Sequence, residues 1–594
     1  MTTRSTRSPR RRTVIALAVV LAVLAGFIVR LVDIQVVNAD THIKDSMDTA
    51  FGASQTLYGT RGEIVDETGQ TLAGSILEYD CQLDPLLLTQ IDADIANDKS
   101  TADPWSEVSA DIATITGQTP EDVRKIVTDA LAENAESRYA KLERGLSTGQ
   151  YRELADIGAP YLVCLQHPAR TYPDGAVAGN LVGFLGVDGE ALAGIEKSQN
   201  DCLRAENGSL TFQKGKDGVT IPGTEVQKAA VNGGTLQLTL NRDLQWYLQQ
   251  LIGEQVQDMA AQSGSIMVVE VETGKIRAIA EYPTVDPNNV DASEDADRGS
   301  RLFRNFFEPG STFKALTAAT VLDAGGQNPL STVVASSWET FANGARVTDA
   351  FTHEAHTYTL AGVLIDSSNA GISKFSERVD PATRFEYFEK FGIGAGSAVG
   401  FEGEQSGWLR PADEWDSQTT YNTSFGQGLT TTVPELAGAY DAIANDGLRM
   451  PLSLVESCLA PDGTVVEPAL PAPTRVLSEQ AAAQTREILE NVAVQANYAN
   501  QIEVPGYRIA VKTGTGEKSD GNGRYKAGVY FTTMIGFAPA DDPKYIVVVT
   551  LDEPTTVTSS AANAPAFQKA MTQVMKTYRV MPATTAPTLL PKFG

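Results

Sequence analysis

Positive charge is scarce in this chain of 594 residues. Lysine and arginine together number 47, against 74 aspartate and glutamate residues, so the formal net charge at pH 7 is −27. A general nucleic-acid-binding protein needs a basic surface, and this balance therefore argues against nucleic acid as a partner. Acidity by itself favours solubility and identifies no partner.

Recognisable metal and nucleotide motifs are also lacking. The stretch HEAH, residues 353–356, places two histidines three residues apart, whereas a zinc-binding helix needs a spacing of four and a further ligand. The stretch GTGEKS, residues 514–519, does not have the spacing of a phosphate-binding loop. We therefore expect neither a zinc site nor a nucleotide site from these residues.

One long apolar run, TVIALAVVLAVLAGFIV, occupies residues 13–29 and follows five arginines. With its flanks it approaches the roughly 20 apolar residues that span a bilayer. The run is longer than a usual signal core and lacks a clean cleavage site, which favours an anchor over the alternative, a cleaved secretory signal. The basic flank predicts a cytoplasmic tail at 1–12, a single membrane span at 13–35 and all later residues outside the cell membrane.

Cysteine is rare. The four cysteines are Cys81, Cys164, Cys202 and Cys458. In an exported chain they can form disulfides, and four cysteines allow three pairing schemes. Pairing of Cys164 with Cys81 or with Cys202 is one expectation, and four unpaired buried thiols are the alternative. Nothing in the pattern indicates a catalytic role for them.

The chain is longer than one hydrophobic core usually organises, which predicts two or more domains. Residues 36–235 mix short strands with helices. Residues 236–580 have strands at both ends and helices between them, which predicts an α+β domain in which a sheet is covered by helices. The end of the chain, 581–594, is rich in proline and threonine, and its composition predicts a disordered tail.

The stretch EPGSTFK, residues 308–314, places a serine and a lysine three residues apart at the start of an apolar helix. Residues at this spacing share a helix face, so the amine of Lys314 can reach the hydroxyl of Ser311. A serine hydroxyl is a poor nucleophile until a base takes its proton, and burial lowers the pKa of a lysine towards that of a usable base. A surface lysine after an ordinary N-cap serine is the alternative interpretation.

A second motif, Ser367-Ser368-Asn369, follows an apolar segment. A hydroxyl in this position can pass a proton to a leaving amine, and an amide can hold both the lysine and a substrate carbonyl. Taken alone, the motif is most simply a polar turn between helices.

The third motif is Lys512-Thr513-Gly514-Thr515, at the end of an apolar strand. The lysine supplies positive charge for a carboxylate, the threonines supply hydroxyl donors, and the glycine permits a close backbone approach. An edge strand of this kind can pair with an extended peptide. Each motif alone is weak evidence for a catalytic site, but the three motifs in this order predict a nucleophilic serine site.

These motifs resemble those of the penicillin-recognising serine transferases, namely the penicillin-binding proteins and the serine β-lactamases. Longer stretches are similar to the division-type (FtsI-type) class B penicillin-binding proteins, whose N-terminal pedestal the β-lactamases lack. The similar stretches are TRGEIVDETGQTLA (60–73), RTYPDGAVAGNLVGFLG (170–186), AGIEKSQNDCL (193–203), FGIGAGSAVGFEGEQSGWL (391–409), SFGQGLTTTVPELAGAYDAIANDG (424–447) and MIGFAPADDP (534–543).

The resemblance implies an elongated mixed α/β pedestal, or dimerisation-type domain, at 36–235. It implies a transpeptidase domain at 236–580, with a β-lactamase-like antiparallel sheet covered by helices. The implied activity is that of a peptidoglycan D,D-transpeptidase that cross-links stem peptides in septal wall synthesis, is acylated by β-lactams and needs no metal or organic cofactor. A polytopic glycan polymerase and other divisome proteins are the implied partners.

Residue roles follow from the same resemblance. Ser311 would attack the carbonyl between two D-alanines, Lys314 would accept its proton, and Ser367 would help to pass a proton to the departing D-alanine. Asn369 would orient Lys314 and bind the substrate amide.

The strand motif would bind the other end of the substrate. The backbone N–H groups of Ser311 and Thr515 would stabilise the oxyanion. The residues implied to hold the terminal carboxylate, with the glycine between them, are Lys512, Thr513, Gly514 and Thr515.

Some positions depart from the family pattern. Glu67 stands where an arginine is usual in the pedestal, which affects a local salt bridge or a partner contact. Val511 replaces a common glycine, and Gly516-Glu517 replaces a common Ala-Gln pair. These changes bear on the geometry of the strand edge and on substrate preference rather than on the nucleophile.

Two rival functions remain open at this point. One is a relative that hydrolyses or senses β-lactams, for which no dedicated water-activating carboxylate can be identified. The other is a division scaffold without chemistry, against which the three intact motifs argue.

Overall fold

The computed structural model describes residues 9–33, 37, 51–97, 99–214 and 219–594. These residues belong to two compact units. The small unit contains the chain up to residue 60 together with 205–232, and the large unit contains 61–204 and 233–594.

The first part of the chain alternates short strands and helices. Its elements are α1 (Pro9–Val32), β1 (Phe51–Leu57), β2 (Ile64–Val65), β3 (Thr71–Leu83), α2 (Pro85–Ala96), α3 (Trp105–Thr116), α4 (Pro120–Glu133), β4 (Ala140–Ser147), α5 (Thr148–Asp156), β5 (Leu162–Thr171), α6 (Gly179–Val182), α7 (Gly194–Ser198), α8 (Asn200–Leu203), β6 (Gly208–Lys214), β7 (Val226–Lys228) and β8 (Thr235–Leu238).

The second part has strands at both ends and mostly helices between them. Its elements are α9 (Arg242–Asp258), β9 (Ser263–Glu270), β10 (Ile276–Tyr282), α10 (Arg301–Arg304), α11 (Lys314–Ala324), β11 (Thr332–Ala335), β12 (Trp338–Thr340), β13 (Arg346–Thr348), β14 (His356–Thr359), α12 (Leu360–Ile365), α13 (Asn369–Ser376), α14 (Pro381–Phe391), α15 (Thr419–Asn422), α16 (Val433–Ala444), β15 (Leu448–Arg449), β16 (Val455–Leu459), β17 (Val465–Val466), β18 (Thr474–Arg475), α17 (Glu479–Gln495), α18 (Ala499–Ile502), β19 (Ala510–Ser519), β20 (Tyr525–Ala538), β21 (Tyr545–Asp552) and α19 (Ala564–Thr577).

The small unit contains the apolar helix α1 and a three-stranded antiparallel sheet in the order β1-β6-β7. Within α1, Val14–Val32 is a 19-residue stretch with a mean hydropathy of 2.8 and no buried side chain. Its length and composition are those of a helix that crosses a membrane once.

The large unit contains the predicted α+β domain. Its central sheet has the order β10-β9-β21-β20-β19, and every neighbouring pair is antiparallel. Strands β9 and β21 are buried at nearly every position, which requires cover on both faces of the sheet. Helices α9, α16 and α19 pack against it, and α17 packs against its edge strand β19. The predicted antiparallel sheet covered by helices is confirmed.

A second, mixed sheet joins distant parts of the sequence. Its strands run β17-β16-β8-β2-β3-β4, with β5 paired to β3, and β2 and β8 are parallel. Next to it, Glu67 accepts hydrogen bonds from Arg277 at 2.5 Å, from Asn241 at 2.8 Å and from the Tyr578 hydroxyl at 3.2 Å. Glu67 is therefore one of the acceptors that join this part of the chain to the central sheet.

Residues 84–161 form a lobe on the mixed sheet. The lobe has its own hydrophobic core, which includes Ile112 and Val123 and is separate from the main core. The lobe begins after Leu83 and ends before Leu162, which are paired across β3 and β5, and it contributes β4 to the sheet.

The last residues of the chain differ from the prediction of a disordered tail. The Phe593 backbone forms a bridge with Tyr358 in β14, and Lys592 makes an ion pair with Asp366 at 2.7 Å. Leu590 is buried. Composition missed this packing because the segment is held by backbone hydrogen bonds and by a few apolar and charged side chains within a polar stretch.

All four cysteines form disulfides. Cys81 and Cys164 face each other on β3 and β5, which is one of the two pairings expected for Cys164. Cys202, at the end of α8, is bonded to Cys458 on β16, across a sequence separation of 256 residues.

Replacing both Cys202 and Cys458 by serine is expected to lower the free energy of unfolding by about 2–4 kcal/mol, because a long loop closed by the bond regains its freedom in the unfolded chain. Denaturant midpoints of the oxidised wild type and the double variant measure the loss. Adding reductant to the wild type should produce at least the same loss, since it opens both bonds. Equal midpoints for variant and oxidised wild type would contradict the prediction.

Candidate active site

Ser311 lies in a short 3-10 turn, Gly310–Phe313, that runs directly into helix α11. The Nζ atom of Lys314 is 3.0 Å from the Oγ atom of Ser311, as the three-residue spacing predicts. Ser311 is partly exposed, whereas the Lys314 side chain is completely buried among the apolar residues of α11. Ser311 is therefore partly open to solvent, while Lys314 is not.

Burial disfavours the charged form of Lys314. Loss of hydration, followed by the nearby positive charge of Lys512, holds the pKa of Lys314 well below its usual range, and only the more modest attraction of Asp349 opposes this. Burial likewise lowers the pKa of Lys512 to about 7. The uncharged form of the amine next to Ser311 is thus favoured, and an uncharged amine can accept the proton of a hydroxyl.

Ser367 joins the two lysines. Lys314 donates to the backbone oxygen of Ser367 and lies 3.2 Å from its Oγ atom, while Lys512 donates to the same Oγ atom at 3.0 Å. Ser367 has a φ of +56°, a conformation that residues with a side chain rarely adopt. This backbone geometry, between α12 and α13, turns both its carbonyl and its hydroxyl towards the amines.

Asn369 does not orient Lys314 as the sequence analysis expects. Its side-chain amide donates to the backbone oxygen of Thr348 at 2.9 Å, and no hydrogen bond between Asn369 and Lys314 occurs in the described part of the chain. The reason is local, because Asn369 is the first residue of α13 and lies beside strand β13. The backbone oxygen of Ser367 holds the lysine instead.

The third motif lies on β19, the edge strand of the central sheet. Gly514 packs so closely on the turn before Ser311 that a Cβ atom there would be 2.4 Å from the oxygen of Pro309. Gly310, in turn, has its α carbon against the backbone of Thr515, where a Cβ atom would lie 2.5 Å from the Thr515 oxygen. The Thr513 hydroxyl is 3.5 Å from that of Tyr498. Glycines thus bring the strand edge against the serine.

Two supporting residues escaped the sequence analysis. The carboxylate of Asp349 accepts hydrogen bonds from the Ser368 hydroxyl at 2.7 Å and from the Ala370 N–H at 2.9 Å, and His353 lies 2.9 Å from it. Burial disfavours a charge on His353, but the hydrogen bonds to Asp349 and to the backbone of Glu354, together with the nearby carboxylate charges, outweigh it and raise the pKa of the imidazole. An aspartate four residues before the first histidine of HEAH is the signal that could have indicated this pair.

Comparison with known proteins agrees with this geometry. Residues 264–572 match the family model of the penicillin-binding protein transpeptidase domain, and residues 56–238 match that of the penicillin-binding protein dimerisation domain. The chain therefore belongs to the penicillin-binding proteins that combine these two domains.

Named relatives refine this assignment. The penicillin-binding protein PbpB of Mycolicibacterium smegmatis is 32% identical over 94% of this chain and 89% of its own length. The peptidoglycan D,D-transpeptidase FtsI of Escherichia coli K12 is 29% identical over 95% and 91%. The resemblance to division-type class B penicillin-binding proteins is confirmed.

A solved structure has the same fold. Penicillin-binding protein 3 of Mycobacterium tuberculosis, in a crystal structure with aztreonam, matches with a TM-score of 0.69 and 28% identity, over 90% of this chain and 99% of that one.

Replacing Gly514 by alanine is expected to lower the rate of acylation by a penicillin by more than about tenfold, because the added Cβ pushes the strand edge away from Ser311. Stopped-flow labelling with a fluorescent penicillin measures the rate.

Gly438→Ala is the matched control, since Gly438 lies in helix α16 and a Cβ atom added there would have no neighbouring atom within 4 Å. This change should leave the rate unchanged and should stabilise the helix slightly. Equal rates for both variants would contradict the role assigned to the close contact at Gly514.

Proposed function

We propose that this protein is a peptidoglycan D,D-transpeptidase that forms a serine acyl-enzyme and that β-lactams acylate at the same serine. The observation that carries the proposal is the buried, easily deprotonated amine of Lys314 at 3.0 Å from the hydroxyl of Ser311. Membership of the penicillin-binding proteins supports the choice of substrate.

In the first step, Ser311 Oγ attacks the carbonyl carbon between two D-alanines, and its proton passes to the uncharged Lys314 amine. The carbonyl oxygen becomes an oxyanion, for which the backbone N–H groups of Ser311 and Thr515 are the proposed donors. Both residues lie where Gly310 and β19 approach each other.

In the second step, the peptide C–N bond breaks, and the terminal D-alanine leaves as an amine. Ser367 Oγ, which lies between Lys314 and Lys512, is placed to deliver a proton to this leaving amine, and the proton held by Lys314 replaces it. An amine from a neighbouring stem peptide then attacks the ester carbonyl. This restores the Ser311 hydroxyl and completes the cross-link.

Substrate binding is assigned to the strand edge. An extended stem peptide adds to β19 as a further strand, with its terminal carboxylate near Lys512, Thr513 and Thr515. Charged Lys512 attracts the carboxylate, and the threonine hydroxyls donate to it. Asn369, on the opposite side, is proposed to bind the substrate amide.

The cellular setting is part of the proposal. Helix α1 anchors the protein in the membrane, with residues 1–12 in the cytoplasm and the transpeptidase domain outside. The five arginines before the apolar stretch support this orientation. A polytopic glycan polymerase and other divisome proteins are the proposed partners, and the relationship to FtsI supports them.

Mass spectrometry after benzylpenicillin treatment tests the chemistry directly. One added benzylpenicillin is expected on the peptide that contains Ser311, and Ser311→Ala should abolish it because the variant lacks the proposed nucleophilic hydroxyl. Ser331→Ala, in a loop outside the site, is the control and should label as the wild type does. Label on another peptide would refute the proposed nucleophile, and an adduct lost within minutes would favour a β-lactam-hydrolysing enzyme.

The pH dependence of acylation should be bell-shaped. The reaction needs Lys314 uncharged, so the rate rises as the pH passes upward through its lowered pKa. The reaction also needs Lys512 charged to attract the carboxylate, so the rate of the free enzyme falls above about pH 7 as this lysine loses its proton. Second-order rate constants for benzylpenicillin at constant ionic strength measure both limbs.

Lys512→Arg separates the two limbs. Arginine keeps its charge at all accessible pH values, so this variant should lose the alkaline limb and keep the acid limb. An alkaline limb that persists in the variant would show that Lys512 is not its origin.

A further inference from the structure

The last residues of the chain lie along helix α12, which leads into the Ser367 turn. At the start of this helix, the backbone N–H of Thr359 donates to the oxygen of Lys592 at 3.0 Å, and the Thr359 hydroxyl donates to the oxygen of Pro591 at 2.7 Å. The same hydroxyl oxygen accepts from the Gly362 N–H and so caps the helix. A Cβ atom on Gly362 would collide with the Lys592 oxygen, so the glycine permits this close approach.

The other end of α12 is held by the same lysine. The Lys592 ammonium makes an ion pair with Asp366 at 2.7 Å, and the Tyr358 hydroxyl donates to the second carboxylate oxygen at 3.3 Å. Asp366 is the C-cap residue of α12 and immediately precedes Ser367. The chain end therefore contacts both the N-cap and the C-cap residue of the short helix before the site.

The segment is also fixed from the other side. Asn491 on α17 donates to the Thr588 oxygen and accepts from the Leu590 N–H, at 2.9 and 2.8 Å, and Gln495 donates to the Leu590 oxygen at 2.9 Å. Helix α17 packs against β19, the strand of the third motif. The chain end thus connects the helix behind β19 with the helix before Ser367.

We propose that residues 588–594 are a positioning segment for the Ser367 turn, with Lys592 acting through Asp366. The Ser367 backbone has a positive φ, and such a conformation persists only when its surroundings hold it. Its carbonyl and hydroxyl in turn hold Lys314. Loosening Asp366 therefore misplaces the base without touching substrate. This inference rests on the proposed function for its kinetic test, but not for its structural test.

The kinetic test uses the full chain in detergent micelles and the variant Lys592→Met. The concentration dependence of fluorescent-penicillin labelling separates the affinity of the first complex from the acylation step. The acylation rate constant is expected to fall about tenfold, while the dissociation constant of the first complex changes by less than about twofold. Lys592→Arg, which keeps the charge, should restore most of the rate.

Two comparisons separate positioning from simple loss of folded protein. A variant that is only less stable labels a smaller fraction of the molecules at the wild-type rate, whereas a misplaced base lowers the rate of the whole population. Lys569→Met, at an exposed lysine of α19, is the matched control and should label as the wild type does.

The double variant Asp366→Asn with Lys592→Met should acylate no more slowly than the slower single variant, because each substitution removes the same ion pair.

Amide hydrogen exchange tests the inference without any label. Lys592→Met should exchange faster than the wild type in peptides that cover 360–371 and equally fast in peptides from α9. An unchanged acylation rate in a protein that labels at Ser311, or unchanged exchange at 360–371, overturns the positioning role. Failure of the wild type to label would instead refute the proposed function, and the exchange result would still decide the inference.

Discussion

The active site depends on the burial of two lysines beside one serine hydroxyl. Moving an ammonium group out of water costs several kcal/mol, and Lys314 and Lys512 are both fully buried and close enough to repel each other. Burial therefore favours the uncharged amine of Lys314. The loss of hydration, rather than an added acid or base, is the larger cause of this shift, and the charge of Lys512 adds to it.

Close packing of the surrounding elements keeps the two lysines buried. Glycines at 310 and 514 let the turn before Ser311 and the edge of β19 pack with backbone against backbone. Gly426 does the same on another side, where a Cβ atom would be 2.2 Å from the Gly310 oxygen. Side chains at these three positions would separate the elements, admit water and raise the pKa of the buried amine. The fixed central sheet below makes such close contacts possible.

Local patterns predicted much of this structure. The spacing of Ser311 and Lys314 predicted their contact because helical geometry fixes residues three apart on one face. The order of strands and helices predicted the sheet covered by helices, because a sheet has to bury its apolar face against another layer. The features that the sequence did not reveal depend on contacts between residues that are far apart along the chain. The support of the Ser367 turn by Asp349 and the docking of Lys592 on Asp366 join residues that no local period relates. Lys314 is held by the backbone oxygen of Ser367 and not by the side chain of Asn369. A motif of side chains cannot predict a contact that the backbone makes.

The lobe at residues 84–161 has a consequence for how such chains change in evolution. Its two ends are the paired neighbours Leu83 and Leu162, and its helices pack with side chains of β3 and β4 into one core. A segment whose two ends are neighbours in a sheet can change in length without moving those ends apart. Its exposed surface can therefore diversify in evolution, while the side chains that it packs against β3 restrict changes in its core.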